Sequence, residues 1–251
     1  MAEKKKVPAV RFRGFSGEWE QYKLGEICQS LQYGLNAAAK KFDGINKYIR
    51  ITDIDDETRT FLEKGLTSPD FNLEKADDYT LQKGDILFAR TGASVGKSYC
   101  YKVSDGLMYY AGFLIRARIK FEYNVDFVFQ NTLTNTYATY ISISSQRSGQ
   151  PGVNAQEYAD FEIMTPDFLE QTKIGTFFRN LDNLITLRQG KYDKLVNVKK
   201  SMLEKMFPKK GGTVPDIRFL GFTGEWERKT IGETKTFFTD GNYGEAYPAE
   251  V

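Results

Sequence analysis

The residues best placed to do chemistry fall in two short runs. Arg90-Thr91-Gly92-Ala93-Ser94-Val95-Gly96-Lys97-Ser98 has the composition of a phosphate-binding loop, in which consecutive amides wrap the phosphates and a lysine reaches them. That wrap needs four residues between the first glycine and the Gly-Lys pair. Gly92 and Gly96 enclose three, and Thr91 stands where the glycine should be. Tyr99-Cys100-Tyr101 also reads as strand, not as the helix a nucleotide loop feeds. The run is therefore a glycine-rich turn presenting Arg90, Thr91, Ser94 and Lys97 as hydrogen-bond donors. The second run, Asp216 with Glu233-Thr234-Lys235, fits an Asp…Glu-x-Lys pattern in which carboxylates hold Mg²⁺ and the lysine orients water.

Composition removes much other chemistry. The 251 residues include no histidine, so imidazole-based triads and zinc peptidase helices are excluded. Cys28 and Cys100 are too few and too far apart for a disulfide framework or a metal knuckle, and are read as reduced thiols. No Asn/Asp-Pro-Pro-aromatic loop of an adenine methyltransferase is present. No metal and no cofactor is expected. Net charge is only +2, so any surface for nucleic acid must be local. No apolar run approaches a membrane span, and Met1–Lys6 is charged with no apolar segment behind it, which points to the cytoplasm.

The strongest signal is a repeat. Val7-Pro8-Ala9-Val10-Arg11-Phe12-Arg13-Gly14-Phe15-Ser16-Gly17-Glu18-Trp19-Glu20 returns 207 residues later as Val214-Pro215-Asp216-Ile217-Arg218-Phe219-Leu220-Gly221-Phe222-Thr223-Gly224-Glu225-Trp226-Glu227. Over 7–26 and 214–233, twelve of twenty positions are identical. That offset far exceeds a solenoid period, so the repeating unit is a whole domain with its connector. The repeat also rejects the metal pattern: the first copy has Ala9 and Glu26-Ile27-Cys28 where the second has Asp216 and Glu233-Thr234-Lys235.

Between the copies, Tyr48–Ile51, Asp85–Ala89, Phe113–Ile119 and Tyr140–Ile143 read as strands and Val125–Leu133 as helix, which predicts an α+β, mostly antiparallel domain over 7–165. From Leu169 to Met206 there is no proline, and the apolar residues fall at coiled-coil spacing. Ile174, Phe178, Leu181, Ile185, Tyr192, Leu195, Met202 and Met206 make a narrow seam. Such a helix spans about 57 Å at 1.5 Å per residue, which suits a spacer; the plainer alternative is a helix folded back on its own domain. Four segments result: a disordered stretch 1–6, a domain 7–165, a spacer and dimerisation helix 166–210, and the start of a second, incomplete domain 211–251.

This organisation resembles the specificity subunits of type I restriction-modification systems. The repeated Arg-Phe-x-Gly-Phe opening, Gly84-Asp85-Ile86-Leu87-Phe88-Ala89-Arg90-Thr91-Gly92, Gly149-Gln150-Pro151-Gly152-Val153-Asn154, Gln171-Thr172-Lys173-Ile174-Gly175 and Thr239-Asp240-Gly241-Asn242-Tyr243-Gly244 carry the likeness. It implies a non-catalytic reader of double-stranded DNA. In that family two recognition domains each bind one half of a bipartite site, and two antiparallel helices separate them and dock adenine-methyltransferase subunits. The methyltransferase would supply S-adenosylmethionine chemistry, and a restriction subunit ATP and Mg²⁺. With one reader, one helix and 38 residues of a second copy, the expectation is a homodimer through the long helix that reads a palindromic bipartite site.

Base reading needs Arg, Lys, Asn, Gln, Ser or Thr on loops. Four segments qualify: Tyr33 and Asn36 with Lys40 and Lys41; Arg50 and Thr52; Arg90, Thr91, Ser94 and Lys97; and Gln146, Arg147, Ser148, Gln150, Asn154 and Gln156. Each has an ordinary counterpart, respectively a solvated loop, a strand-end ion pair, a glycine turn and a structural turn into the next element. Trp19 and Trp226 are read as hydrophobic anchors of the two openings and not as base-stacking platforms.

Overall fold

The computed structural model describes residues 7–146 and 149–234. The chain divides into two compact units, Met1–Thr186 and Leu187–Val251. Ten strands are present among the described residues: β1 (Glu20–Lys23), β2 (Cys28–Tyr33), β3 (Ala38–Lys41), β4 (Lys47–Ile49), β5 (Thr67–Asp70), β6 (Asp85–Ala89), β7 (Ser98–Cys100), β8 (Met108–Tyr110), β9 (Leu114–Ile119) and β10 (Glu162–Thr165). The α-helices are α1 (Leu24–Ile27), α2 (Val125–Asn131), α3 (Asn135–Ser144), α4 (Ala155–Ala159) and α5 (Phe168–Met206).

The centre of the first unit is an antiparallel sheet ordered β2-β9-β6-β7. Side chains alternate across a strand, and both faces of β6 are buried. Ile86 and Phe88 enter a core with α1, α2, α3 and α4, while Leu87 and Ala89 enter a second core with Ile49, Tyr99, Met108 and Tyr110. This explains why Asp85–Ala89 is a continuous apolar run and not an alternating one. Its one acid, Asp85, is fully buried and accepts two hydrogen bonds from Arg118 at 2.8 and 3.0 Å. Peripheral pairs are antiparallel β1-β10 and β3-β5 and parallel β4-β8. Cys28 is buried, which pushes its thiol up to about 12 and keeps it neutral.

One predicted strand is wrong. Tyr140–Ile143 lies inside α3. The Thr134 hydroxyl caps that helix by accepting from the Tyr137 amide, and Tyr137 and Ile141, four residues apart, form its buried face. The β-branched residues imitate a strand, and tertiary packing overrides the imitation.

α5 begins on the first unit. Glu170, Gln171 and Gly175 are buried, and a Cβ at Gly175 would lie 2.4 Å from the Asn124 side-chain oxygen. Arg179 pairs with Asp126 at 2.7 Å, and Gln130 donates to Asp182 at 2.7 Å. Beyond that, 183–200 are exposed throughout. No helix among the described residues is long and apolar enough to cross a membrane.

Candidate nucleic-acid interface

The four polar segments converge on one open cleft. It has a volume of about 900 Å³ and is lined by Tyr33 and Asn36 from the first segment, Arg50 and Thr52 from the second, Arg90 and Thr91 from the third and Gln150 from the fourth. The third and fourth segments are zipped together by backbone bonds. The Val153 amide donates to the Arg90 carbonyl at 2.9 Å, and the Gly92 amide to the Pro151 carbonyl at 3.0 Å. Gln150 therefore lies against Gly92, its amide nitrogen 3.1 Å from where a Cβ would stand.

The first segment is held by close backbone approach. The Leu35 amide donates to the Tyr110 carbonyl at 2.8 Å, and a Cβ at Gly34 would sit 2.2 Å from the Ala111 carbonyl oxygen, so only glycine fits. The buried Tyr48 hydroxyl donates to the Leu35 and Ala37 carbonyls, and burial raises its pKa. The Arg90 guanidinium lies 4.7 Å from the Tyr33 ring centroid, and the Tyr33 hydroxyl accepts from the Ala155 amide at 3.2 Å.

The ordinary readings hold at several positions. Arg50 donates twice to Asp53 at 2.8 Å, and this hydrogen bonding raises its pKa; it lines the cleft with part of its donor edge already used. Lys97, expected to face DNA with Arg90 and Ser94, does not line the cleft. Its side chain is buried, pairs with Asp56 at 2.5 Å and donates to the Ile54 carbonyl. Ser94 and Lys97 both line a different depression, with Arg59 and Thr134. Asn154 is the N-cap of α4, accepting from the Glu157 amide at 2.9 Å, a helix-start signal that its glutamate three residues on could have given. Gln156 is exposed on α4, next to Asp160. Lys40 and Lys41 stand exposed on β3, Lys40 at 3.7 Å from Asp70. Gln146 is exposed and lies outside the cleft lining. Arg147 and Ser148 lie outside the described residues, as do Met1–Lys6, Lys235 and Thr239–Gly244.

Sequence reading missed Phe113. It lines the cleft and is 64% exposed, and its carbonyl accepts from the Arg90 amide. It opens the strand-like run Phe113–Ile119, and only its position just before β9 begins could have marked it.

The helix seam divides into three parts. Ile174 packs on the core of the first unit. Phe178, Leu181, Ile185, Tyr192 and Leu195 are exposed, together with Phe177, Leu184 and Val196, so the apolar stripe is broader than a narrow seam. In the second unit Met202 and Met206 line an apolar groove with Phe219, Phe222 and Trp226 of the second opening. The first opening's Trp19 packs on the core, edge-on to Phe127 at 6.0 Å. Trp226 meets Phe207 at 5.8 Å and is 39% exposed.

Residues 16–197 match the family described as the type I restriction modification DNA specificity domain, and the chain belongs to that family. It is 27% identical over 232 residues to a putative type I restriction enzyme MjaX specificity subunit from Methanocaldococcus jannaschii, covering 88% of this chain and 53% of that protein. The fold is similar to that of the type I restriction-modification S subunit from M. genitalium, with a TM-score of 0.55 at 16% identity, covering 76% of this chain and 46% of the other. It is also similar to a chain from a structural study of complex assembly and conformational transition in the type I R-M system, with a TM-score of 0.53 at 13% identity over 75% of this chain and 45% of that one. The chain thus spans about half the length of the relatives it matches.

Proposed function

We propose that this chain reads DNA sequence as the specificity component of a type I restriction-modification assembly, contributing recognition and no catalysis. The observation that carries the reading is the convergence, in one cleft, of seven base-reading or stacking residues from four separate segments. Side chains of this kind suit base edges in the major groove, and lysines on the neighbouring β3 suit phosphates. On this reading the cleft takes one half of a bipartite site. The exposed stripe of α5 is covered by a second, antiparallel helix, supplied by another copy of the chain or another specificity segment, and the paired helices dock methyltransferase subunits. A spacer of roughly 57 Å suits half-sites between one and two turns of duplex apart.

The test is an electrophoretic shift of the purified chain with a random duplex pool at low salt. Binding is expected, and it should weaken steeply as salt rises; no shift at any salt concentration sinks the reading. Light scattering at micromolar concentration is expected to return a dimer, and a monomer would remove the paired-helix part.

A further inference from the structure

We infer that Arg90 is the residue that reads a guanine, and that Tyr33 positions it to do so. The inference rests on the cleft being a DNA-reading surface. An arginine that serves as a phosphate contact needs only charge and reach, whereas bidentate recognition of guanine O6 and N7 needs a guanidinium plane already fixed in direction. Arg90 has that fixation. Its backbone is held on both sides, the amide by the Phe113 carbonyl at 3.0 Å and the carbonyl by the Val153 amide at 2.9 Å. The guanidinium lies over the Tyr33 ring, and the Tyr33 hydroxyl is in turn held by the Ala155 amide. Stacking uses the face of the guanidinium and leaves its N–H edge available.

The cleft's other arginine makes the contrast. Arg50 spends two donors on Asp53, while Arg90 has no carboxylate partner among the described residues. Phe113, exposed next to the Arg90 backbone, offers an apolar contact of the kind a thymine methyl takes. Neighbouring Gln150 carries the amide that pairs with adenine. The cleft therefore presents a guanine donor, an adenine-pairing amide and an apolar surface side by side.

The experiment is selection from a duplex library with a randomised central segment by the full chain, followed by titration of the selected duplex and its single-base variants. Wild type, Arg90→Lys, Arg90→Ala and Tyr33→Leu are compared over a series of salt concentrations. Wild type is expected to select a motif with a G·C pair whose replacement weakens binding roughly 5- to 150-fold. Both Arg90 variants should lose preference at that pair alone, with the other positions and the salt slope unchanged. Arg90→Lys keeps charge and length but not the fork, so it carries the test if the alanine variant fails to fold. Tyr33→Leu should lose part of the same preference.

A uniform loss of binding to all duplexes, with the logarithmic salt slope reduced by about one, makes Arg90 a phosphate contact and overturns the inference. Loss of preference at an A·T pair overturns it too, as does unselective wild-type binding. Failure of the wild type to bind any duplex removes the DNA-reading function itself, a result distinct from all of these.

Discussion

The two openings, 7–20 and 214–227, carry nearly the same residues and fold into the same turn in different surroundings. In each, an arginine donates to the carbonyl of the glycine six residues on, Arg11 to Gly17 and Arg218 to Gly224. In each, the second Phe amide donates to the first Phe carbonyl, and the paired glycines Gly14 and Gly17, Gly221 and Gly224 all have positive φ near 90–99°. The turn is thus a local product of Arg-Phe-x-Gly-Phe-x-Gly. What differs is what it docks on. Arg11 makes a two-point pair with fully buried Glu170 at 2.7 and 2.6 Å, and Phe12 packs on Phe177. Arg218 instead lies over Trp226, and Phe219 and Phe222 are about 70% exposed. Local sequence makes the turn, and a partner surface makes it an anchor.

The two tryptophans should separate the two settings most widely. Trp19→Ala removes an aromatic from the first unit's core and is expected to cost about 2–4 kcal/mol, somewhat below a fully buried aromatic. Trp226→Ala, at a half-exposed site, should cost about 1 kcal/mol or less. Urea midpoints followed by circular dichroism check both, and equal losses would mean that the second opening is as firmly anchored as the first.

Next in size is the Arg11–Glu170 lock. Glu170→Gln leaves a buried amide facing a guanidinium that had two charge-assisted bonds. The first opening should then loosen, and limited trypsin digestion should cut after Arg11 or Arg13 faster than in wild type. Cleavage after Arg218 should stay at its wild-type rate, because its turn uses no such carboxylate. Unchanged cleavage at Arg11 and Arg13 would show that Phe12 and Trp19 alone hold the opening.

These contrasts also mark what could be read from sequence. The α+β class and the long helix were legible because β6 is a short apolar run, β9 is rich in β-forming residues and α5 carries a helical periodicity. Tyr140–Ile143 was not, since a β-branched run reads the same in a strand and on a helix face buried through Tyr137 and Ile141. At the cleft, residue type singled out Tyr33, Arg90 and Gln150, which line it, but it could not tell an unpaired donor from a used one. Lys97 and Asn154 have the right chemistry and spend it on Asp56 and on the cap of α4. For Asn154 the partner is three residues away and the capping pattern was there to read, whereas the partner of Lys97 is distant in sequence and only the fold supplies it. Phe113 was passed over because it is apolar and was read only as part of a strand.

The smallest effect tests whether charge adds anything to the second opening. Lys209 and Asp216 approach to 2.7 Å, yet their side chains are 74% and 50% exposed. A pair so hydrated contributes under about 1 kcal/mol and is screened by salt. Asp216→Asn should therefore move the urea midpoint little at low salt and not at all at high salt. Ala9, the corresponding residue of the first opening, has no carboxylate to offer, so the pair is an addition peculiar to the second copy. A salt-resistant loss comparable to that of Trp226→Ala would mean that Asp216 is less hydrated in solution than its 50% exposure implies. The second opening would then be an anchor as well.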